Sequence, residues 1–413
     1  MSTTRRGTKR GAVGSDENVY PMFNKKKAVQ PVAVKGTWDA VSDELLVFSP
    51  SDHRPSEKVA GFDLDYTLIA TKSGRTFPVD VNDWKLWHDC VPQKLRKAHE
   101  DGMKIVIFTN QKGVQTGKLT AADLKKKLQS ILAKFDFPVQ VFASLGPPSF
   151  RKPYVGMWTY MEDNYNDGVP VNREESLYVG DAAGRTKTKL RKKDHSLSDR
   201  LFAHNLSVQF KTPEQFFLGQ KTEDEFCMPE FMPEKVLVAE KKLFVPDMSF
   251  PSPQQEVIIF VGAPGSGKST VAKMLRDNHD YQHVNRDTLK TWQACIAAAD
   301  GFLRDKHSVV IDNTSPDKES RARYVELAKK HNVRCRCFVM TTPLDHSKHN
   351  ATFRTIINPQ HEHIPRIAFN MYKSKYEEPA ESEGFDEIVN VNFVPTFEDD
   401  EAQRIYSYYL MES

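Results

Sequence analysis

Two α/β domains in succession, each built on a mainly parallel sheet, are the architecture this 413-residue sequence predicts. Three observations carry the prediction. Short aliphatic segments alternate with helical patterns, which favours parallel strands joined by crossover helices. One alternation runs from about Trp38 to residue 220, and a second starts at Glu256. Between them, residues 221–252 place Pro229, Pro233, Pro246 and Pro251 among charged residues, the composition of an interdomain linker. The expected division is a tail over 1–37, a first domain over 38–220, a linker over 221–252 and a second domain over 253–413.

Residues 1–37 are rich in Gly, Ser, Thr and Lys, show no periodicity and are expected to be disordered. They carry two basic clusters, Arg5, Arg6, Lys9 and Arg10, then Lys25, Lys26 and Lys27. Such clusters serve as nuclear-import signals or nucleic-acid arms. The net charge of +3 hides this asymmetry: residues 1–36 hold eight Lys or Arg against two acids, which leaves the rest of the chain at −3. Nucleic-acid binding by the folded part must therefore rest on local patches. No apolar run approaches the length of about 20 residues that a membrane span needs, and no apolar core follows the basic start, so neither membrane nor secretion is expected. The five cysteines are few and scattered, as in a reducing compartment.

In the first domain, strands are expected at 58–64, 104–109, 139–143 and 176–179. A helix begins after Thr120, whose hydroxyl is placed to cap it, and buries Leu124, Leu128, Ile131, Leu132 and Phe135 on one face. The first strand ends in Asp63-Leu64-Asp65-Tyr66-Thr67. A carboxylate at a strand end can attack a phosphoryl group, and a second one two residues on can act as general acid and then base. Two carboxylates and a phosphate repel one another, so such a site calls for Mg²⁺. Three further elements follow in order. Thr109-Asn110-Gln111 offers a hydroxyl and amides to phosphate oxygens. Lys152 can neutralise nucleophile and phosphate. Gly180-Asp181 adds a carboxylate to the metal site.

In the second domain, strands are expected at 257–261, 308–311 and 333–340. The first runs into Gly262-Ala263-Pro264-Gly265-Ser266-Gly267-Lys268-Ser269-Thr270, a phosphate-binding P-loop in its strand–loop–helix setting. Its backbone N–H groups and the helix N-terminus favour a nucleotide's phosphates. Lys268 is placed for the β/γ-phosphates and Ser269 for Mg²⁺, which makes ATP the expected donor. Asp287 is placed to deprotonate an acceptor hydroxyl. Asp312 supports Mg²⁺ or positions the acceptor, and Arg354 suits a lid that stabilises the transferring phosphoryl group. Arg286, Thr314, Arg321 and Arg323 are further candidates for holding the substrate. His361 and His363 lack an evident third ligand, so no metal is assigned to them.

The first set of motifs resembles the haloacid dehalogenase superfamily, which implies a Rossmann-like phosphatase with Asp63 as nucleophile and Asp65 as acid/base. Thr109 and Lys152 would bind phosphate, and Asp181 would bind Mg²⁺ with Asp63 and the Asp65 carbonyl. Two positions depart from the pattern: Tyr66 where many members have a small residue, and Arg185 where many have a second acid. Arg185 instead opens a basic run with Lys187, Lys189, Arg191, Lys192 and Lys193, placed to touch a phosphate backbone at the pocket mouth. Such a phosphatase followed by a P-loop kinase, with 285–288, 312–314 and 180–185 as they stand, resembles the bifunctional polynucleotide kinase/3′-phosphatase family. That resemblance covers about residues 38–413. It implies removal of 3′-phosphates from DNA ends and ATP-dependent phosphorylation of 5′-hydroxyls, leaving termini for a polymerase and ligase. It also implies a nuclear location and repair scaffold partners. A monomer is expected, and RNA ends stay open. The forkhead-associated domain of some members has no counterpart in the 40 or so residues before the first domain. The alternatives are a fused phosphatase and kinase for small metabolites, which the basic run disfavours, and a non-catalytic repair adaptor.

Overall fold

The computed structural model describes residues 34–146, 148–189, 191–221, 224–248 and 252–412. The two basic clusters of the tail lie outside them. The first unit runs through β1 (Gly36–Val41), β2 (Leu45–Pro50), β3 (Val59–Phe62), the short β4 (Ile69–Ala70) and β5 (Lys85–Leu86), and α1 (Val91–Glu100). It continues with β6 (Lys104–Asn110), α2 (Lys112–Gln115), α3 (Ala121–Leu132), β7 (Gln140–Ser144), α4 (Gly156–Tyr165), β8 (Leu177–Val179), α5 (Ser198–Leu206), β9 (Gln209–Lys211) and α6 (Pro213–Leu218). Its seven-stranded sheet has the order β1-β2-β7-β6-β3-β8-β9. β1–β2 and β2–β7 are antiparallel, and the other pairs are parallel.

The alternation of side chains along each strand fills both faces of this sheet. Leu46, Phe48, Ala60, Phe62, Ile105 and Ile107 face one core with Leu95 of α1 and Leu124, Leu128 and Ile131 of α3. Leu45, Val47, Val59, Val106 and Phe108 face the other with Trp158 of α4 and Phe202 of α5. Two covered faces explain the unbroken apolar run of β2, a strand absent from the sequence expectation. Thr120 caps α3 as expected, its side chain accepting from the Asp123 N–H.

The second unit follows α7 (Pro233–Leu237). It comprises β10 (Phe244–Val245), β11 (Glu256–Val261), α8 (Lys268–His279), β12 (Gln282–Val284), α9 (Arg286–Leu289), α10 (Trp292–Arg304), β13 (Val309–Ile311) and α11 (Lys318–His331). After these come β14 (Arg334–Met340), α12 (Leu344–Ile357), α13 (Arg366–Lys375), β15 (Glu387–Val391) and α14 (Asp400–Ser407). Its sheet order is β10-β15-β14-β11-β13-β12, parallel except for β10–β15.

Two expected boundaries shift. β1 starts at Gly36, inside the segment assigned to the tail, because pairing with the buried β2 satisfies its backbone. The segment assigned to the linker is structured over much of its length. The Thr186 N–H donates to the Glu225 carbonyl at 3.0 Å and the Cys227 N–H to the Gly184 carbonyl at 3.2 Å, while Phe244 pairs with Val391 in the second sheet. No helix among the described residues is long and apolar enough to cross a membrane.

Candidate active sites

β6, β3 and β8 lie side by side and parallel, so their C-terminal ends open on one place. β3 delivers Asp63 and Asp65, β6 delivers Thr109 to Gln111, and β8 delivers Gly180 and Asp181. The Asp63 N–H donates to the Val179 carbonyl at 2.9 Å, which ties two of these ends together. The turn beyond puts Tyr66 at φ 63°, and its hydroxyl sits 2.7 Å from the Thr76 carbonyl, pinning the loop that follows.

Lys152 is the hub of the site, 1% exposed. Its ammonium lies 2.7 Å from Asp63 Oδ1, 2.7 Å from Asp199 Oδ1 and 2.6 Å from the Tyr178 hydroxyl. Burial alone would push this ammonium's pKa down; the Asp199 and Asp63 carboxylates outweigh it and hold the pKa above the usual lysine value. Burial pushes Asp63 up to about 7, with Lys152 working against that and Asp199 for it. Asp181 is also held well above the usual carboxylate range, by burial first and then by Asp63 and Asp199. Asp63, Asp181 and Asp199 each bring an oxygen within 4.8 Å of the others. Three crowded, desolvated carboxylates facing one ammonium are the donor set that fits a hard divalent cation. Protons and a cation compete for these oxygens. Cation affinity at this site should therefore weaken as pH falls below about 7, by about tenfold per unit for each proton the cation must displace. Calorimetric titrations between pH 5.5 and 8 will check this; a flat affinity would contradict it.

Asp65 stands apart from this cluster. Lys127 Nζ lies 3.2 Å from its Oδ1 and Gln111 Nε2 2.9 Å from its Oδ2. Gln111 also donates to the Thr109 hydroxyl at 3.0 Å. The amides expected to reach substrate are thus occupied by the protein: Asn110 Oδ1 accepts from the Lys152 N–H at 3.0 Å, and its Nδ2 donates to the Lys152 carbonyl at 3.2 Å. Asp199, Tyr178 and Lys127 went unread in the sequence. Lys127 had a signal, a lysine set within the apolar stripe beside Leu124 and Leu128. Asp199 had none; it reaches the site because Gly180 lacks a Cβ, which would stand 2.4 Å from the Asp199 carboxylate.

Arg185 is corrected from a substrate contact to a buried brace, 3% exposed. Its guanidinium lies 2.8 Å from Asp194 and 2.8 Å from Glu214, and donates to the Asp181 carbonyl at 3.2 Å. Removing one partner of a buried pair typically costs about 3 kcal/mol or more. Arg185→Ala should lose about that much stability in urea with little change in substrate KM; a raised KM at intact stability would restore the substrate role. Beyond it, Lys187, Lys189, Lys192 and Lys193 are exposed.

The second site lies where β11 runs into α8. The Gly262 N–H donates to the Thr314 carbonyl at 3.2 Å, fixing the loop against the end of β13. Lys268 Nζ lies 2.7 Å from the Ala263 carbonyl, and burial pushes it down to about 8, with Asp312 and Asp287 resisting. Asp312 is buried but holds its carboxyl below the usual value: burial works upward, while hydrogen bonds from His283, Ser269 and Asn285 outweigh it. A hydroxyl and a carboxylate in contact at the loop's end also fit a divalent cation. Asp287 is exposed at the start of α9, its N–H capped by Asn285 Oδ1 at 2.7 Å. Arg354, on α12, has a buried Nε without a partner among the described residues and feels the charge of Asp287. Arg286 is exposed beside Asp287. Arg321 is corrected: it is fully buried, its guanidinium forked onto Glu383 at 2.7 Å and onto the carbonyls of Pro316 and Glu377. Arg323 lies over the Trp292 ring, 4.6 Å from its centroid, and pairs with Glu319.

A family model described as polynucleotide kinase 3 phosphatase matches residues 58–217, and one described as an AAA domain matches residues 289–379. A bifunctional polynucleotide phosphatase/kinase of Schizosaccharomyces pombe is 37% identical over 357 residues, 86% of this chain and 84% of that protein. A polynucleotide 3′-phosphatase of Arabidopsis thaliana is 34% identical over 45% of this chain and 27% of its own length. A polynucleotide 3′-phosphatase of Saccharomyces cerevisiae is 30% identical over 42% of this chain and 96% of its own.

Proposed function

The chain belongs to the bifunctional polynucleotide phosphatase/kinase family, and we propose that it prepares broken DNA ends for ligation at two separate sites, one removing 3′-phosphates and one phosphorylating 5′-hydroxyls with ATP. The observation that carries the reading is the Lys152–Asp63 pair, set within three carboxylates where three parallel strands end.

At the first site an Asp63 oxygen attacks the 3′-phosphate. The bond from phosphorus to the 3′ oxygen breaks, leaving phospho-Asp63 while Asp65 protonates the departing oxygen. Asp65, now a carboxylate, takes a proton from the water that attacks phospho-Asp63 and releases phosphate. Lys127 and Gln111 aim Asp65. Lys152 offsets the charge of nucleophile and phosphate, and the Thr109 hydroxyl holds a phosphate oxygen. Asp63, Asp181 and the Asp65 carbonyl would hold Mg²⁺, which supplies further charge neutralisation.

At the second site the γ-phosphoryl group of ATP passes to a 5′-hydroxyl whose proton goes to Asp287. The 262–270 loop and Lys268 cradle the phosphates, Ser269 and Asp312 would hold Mg²⁺, and Arg354, whose Nε has no partner among the described residues, serves the transferring group. The exposed lysines at 187, 189, 192 and 193 favour a polymer over a small metabolite. A 3′-phosphorylated oligonucleotide should be hydrolysed far faster than a free sugar phosphate at equal concentration; the reverse order would replace this substrate class. The clusters at 5–10 and 25–27 support a nuclear location. Deleting residues 1–30 should shift the protein to the cytoplasm, and unchanged localisation would remove that reading.

A further inference from the structure

The last described residues of the chain are tied to both candidate sites. Tyr406 of α14 is buried against the rings of His349, Phe353 and Phe397. Its hydroxyl donates to Asn350 Oδ1 at 2.7 Å, and Asn350 Nδ2 donates to the Gly265 carbonyl of the phosphate loop at 3.0 Å. A phenol has one proton to give. His346 Nε2, 2.7 Å from the same oxygen, is therefore the donor to it. Gly265 sits at φ 77°, and a Cβ there would meet the Ser347 carbonyl at 2.2 Å, so the loop lies directly on α12. A chain of three hydrogen bonds thus runs from α12 through the C-terminal helix to the phosphate loop.

Three residues on, the same segment reaches the first unit. The Tyr409 N–H donates to Asn205 Oδ1 at 2.9 Å, and Asn205 Nδ2 lies 2.8 Å from both the Tyr409 and the Pro153 carbonyls. The Leu197 N–H donates to the Glu412 carbonyl at 3.1 Å, and the Glu412 carboxylate pairs with Arg151 at 2.6 Å. The Tyr409 ring closes a buried cluster with Leu197 and Leu201. Arg151 and Pro153 flank Lys152. Asn205 and Leu201 lie on α5, the helix that presents Asp199 to Lys152. Arg151 on one side of the hub lysine and the helix carrying its second partner are therefore held directly by residues 409–412, and Pro153 on the other side is held through Asn205.

We propose that Tyr406–Glu412 is a strap that positions both sites, so that 3′-phosphate removal depends on the far end of the other catalytic unit. Tyr406 acts on the phosphate loop through Asn350. Tyr409 and Glu412 act on Lys152 through Asn205, Arg151 and α5. All are positioning residues. The inference rests on the activities proposed above.

A chain ending at Ser407 tests it against the full chain. Misplacement of a reactive group by about 1 Å can cost on the order of 100-fold, so phosphatase kcat on a 3′-phosphorylated oligonucleotide should fall at least about tenfold. Its KM should stay within about threefold, and the kinase, which keeps Tyr406, should stay within about twofold and so report a folded chain. Phosphatase within twofold of the full chain would overturn the strap. If truncation removes both activities, Asn205→Leu in the full chain decides: phosphatase kcat falls with KM and kinase unchanged, or the strap is wrong. Tyr406→Phe should do the converse, lowering kinase kcat and sparing the phosphatase; an unaffected kinase would overturn that half. A full chain inactive on polynucleotide 3′-phosphates would defeat the functional reading instead, and the same variants would then be compared on p-nitrophenyl phosphate.

Discussion

Asp63→Ala will remove 3′-phosphatase activity, by about 10⁴-fold or more as expected for loss of a covalent nucleophile, and will leave 5′-phosphorylation at the rate of the unaltered chain. Asp65 cannot substitute, because its carboxylate is turned to Lys127 and Gln111 and stands outside the three-carboxylate cluster. Loss of the side chain will not unfold the unit. Lys152 keeps Asp199 at 2.7 Å and the Tyr178 hydroxyl at 2.6 Å, so its ammonium stays paired. Asp63 is itself a desolvated carboxylate held up to about 7, and its removal relieves its repulsion with Asp199 and its upward push on Asp181. The melting temperature should therefore hold or rise. Parallel assays of both ends, with a thermal melt, will check this; loss of kinase activity in a folded variant would contradict separate sites.

Lys268→Ala will have the opposite pattern, lowering kinase kcat/KM by about 10³-fold, the scale of one lost charge stabiliser of a transition state, with phosphatase unchanged. In this structure the ammonium rests on the Ala263 carbonyl inside the loop that phosphates would fill. Its burial holds it down to about 8, so in the free enzyme the charge is lost as pH rises through that value. The kinase kcat/KM for ATP should accordingly decline above about pH 8, since that parameter reports free-enzyme groups. Steady-state kinetics from pH 6.5 to 9.5 will show the limb; a flat alkaline profile would mean that another group carries the phosphate contact.

The strand ends were legible in the sequence because chemistry and local pattern coincide there. An apolar run stops at Asp63, another at Thr109, another at Asp181, and the sheet order makes them neighbours. The phosphate loop was legible for the same reason, its glycines and Lys268 being contiguous. What escaped depends on distant chain. Arg185 and Arg321 look like surface cations until Glu214 and Glu383 fold over them, 29 and 62 residues further along. Asp199 reaches Lys152 only through the docking of α5, and no spacing rule links it to Asp181. The proline-rich stretch before Glu256 reads as linker because β10 is two residues long and finds its partner only in β15. The continuous apolar run of β2 carries no period to distinguish it.

The most direct measurement uses a nicked DNA duplex with a 3′-phosphate and a 5′-hydroxyl at the break, Mg²⁺ and γ-labelled ATP, with both ends resolved on one gel. Loss of the 3′-phosphate together with label at the 5′ end is the predicted result. ATP binding with both ends unchanged would contradict it and return the substrate to small phosphomonoesters and hydroxyl acceptors.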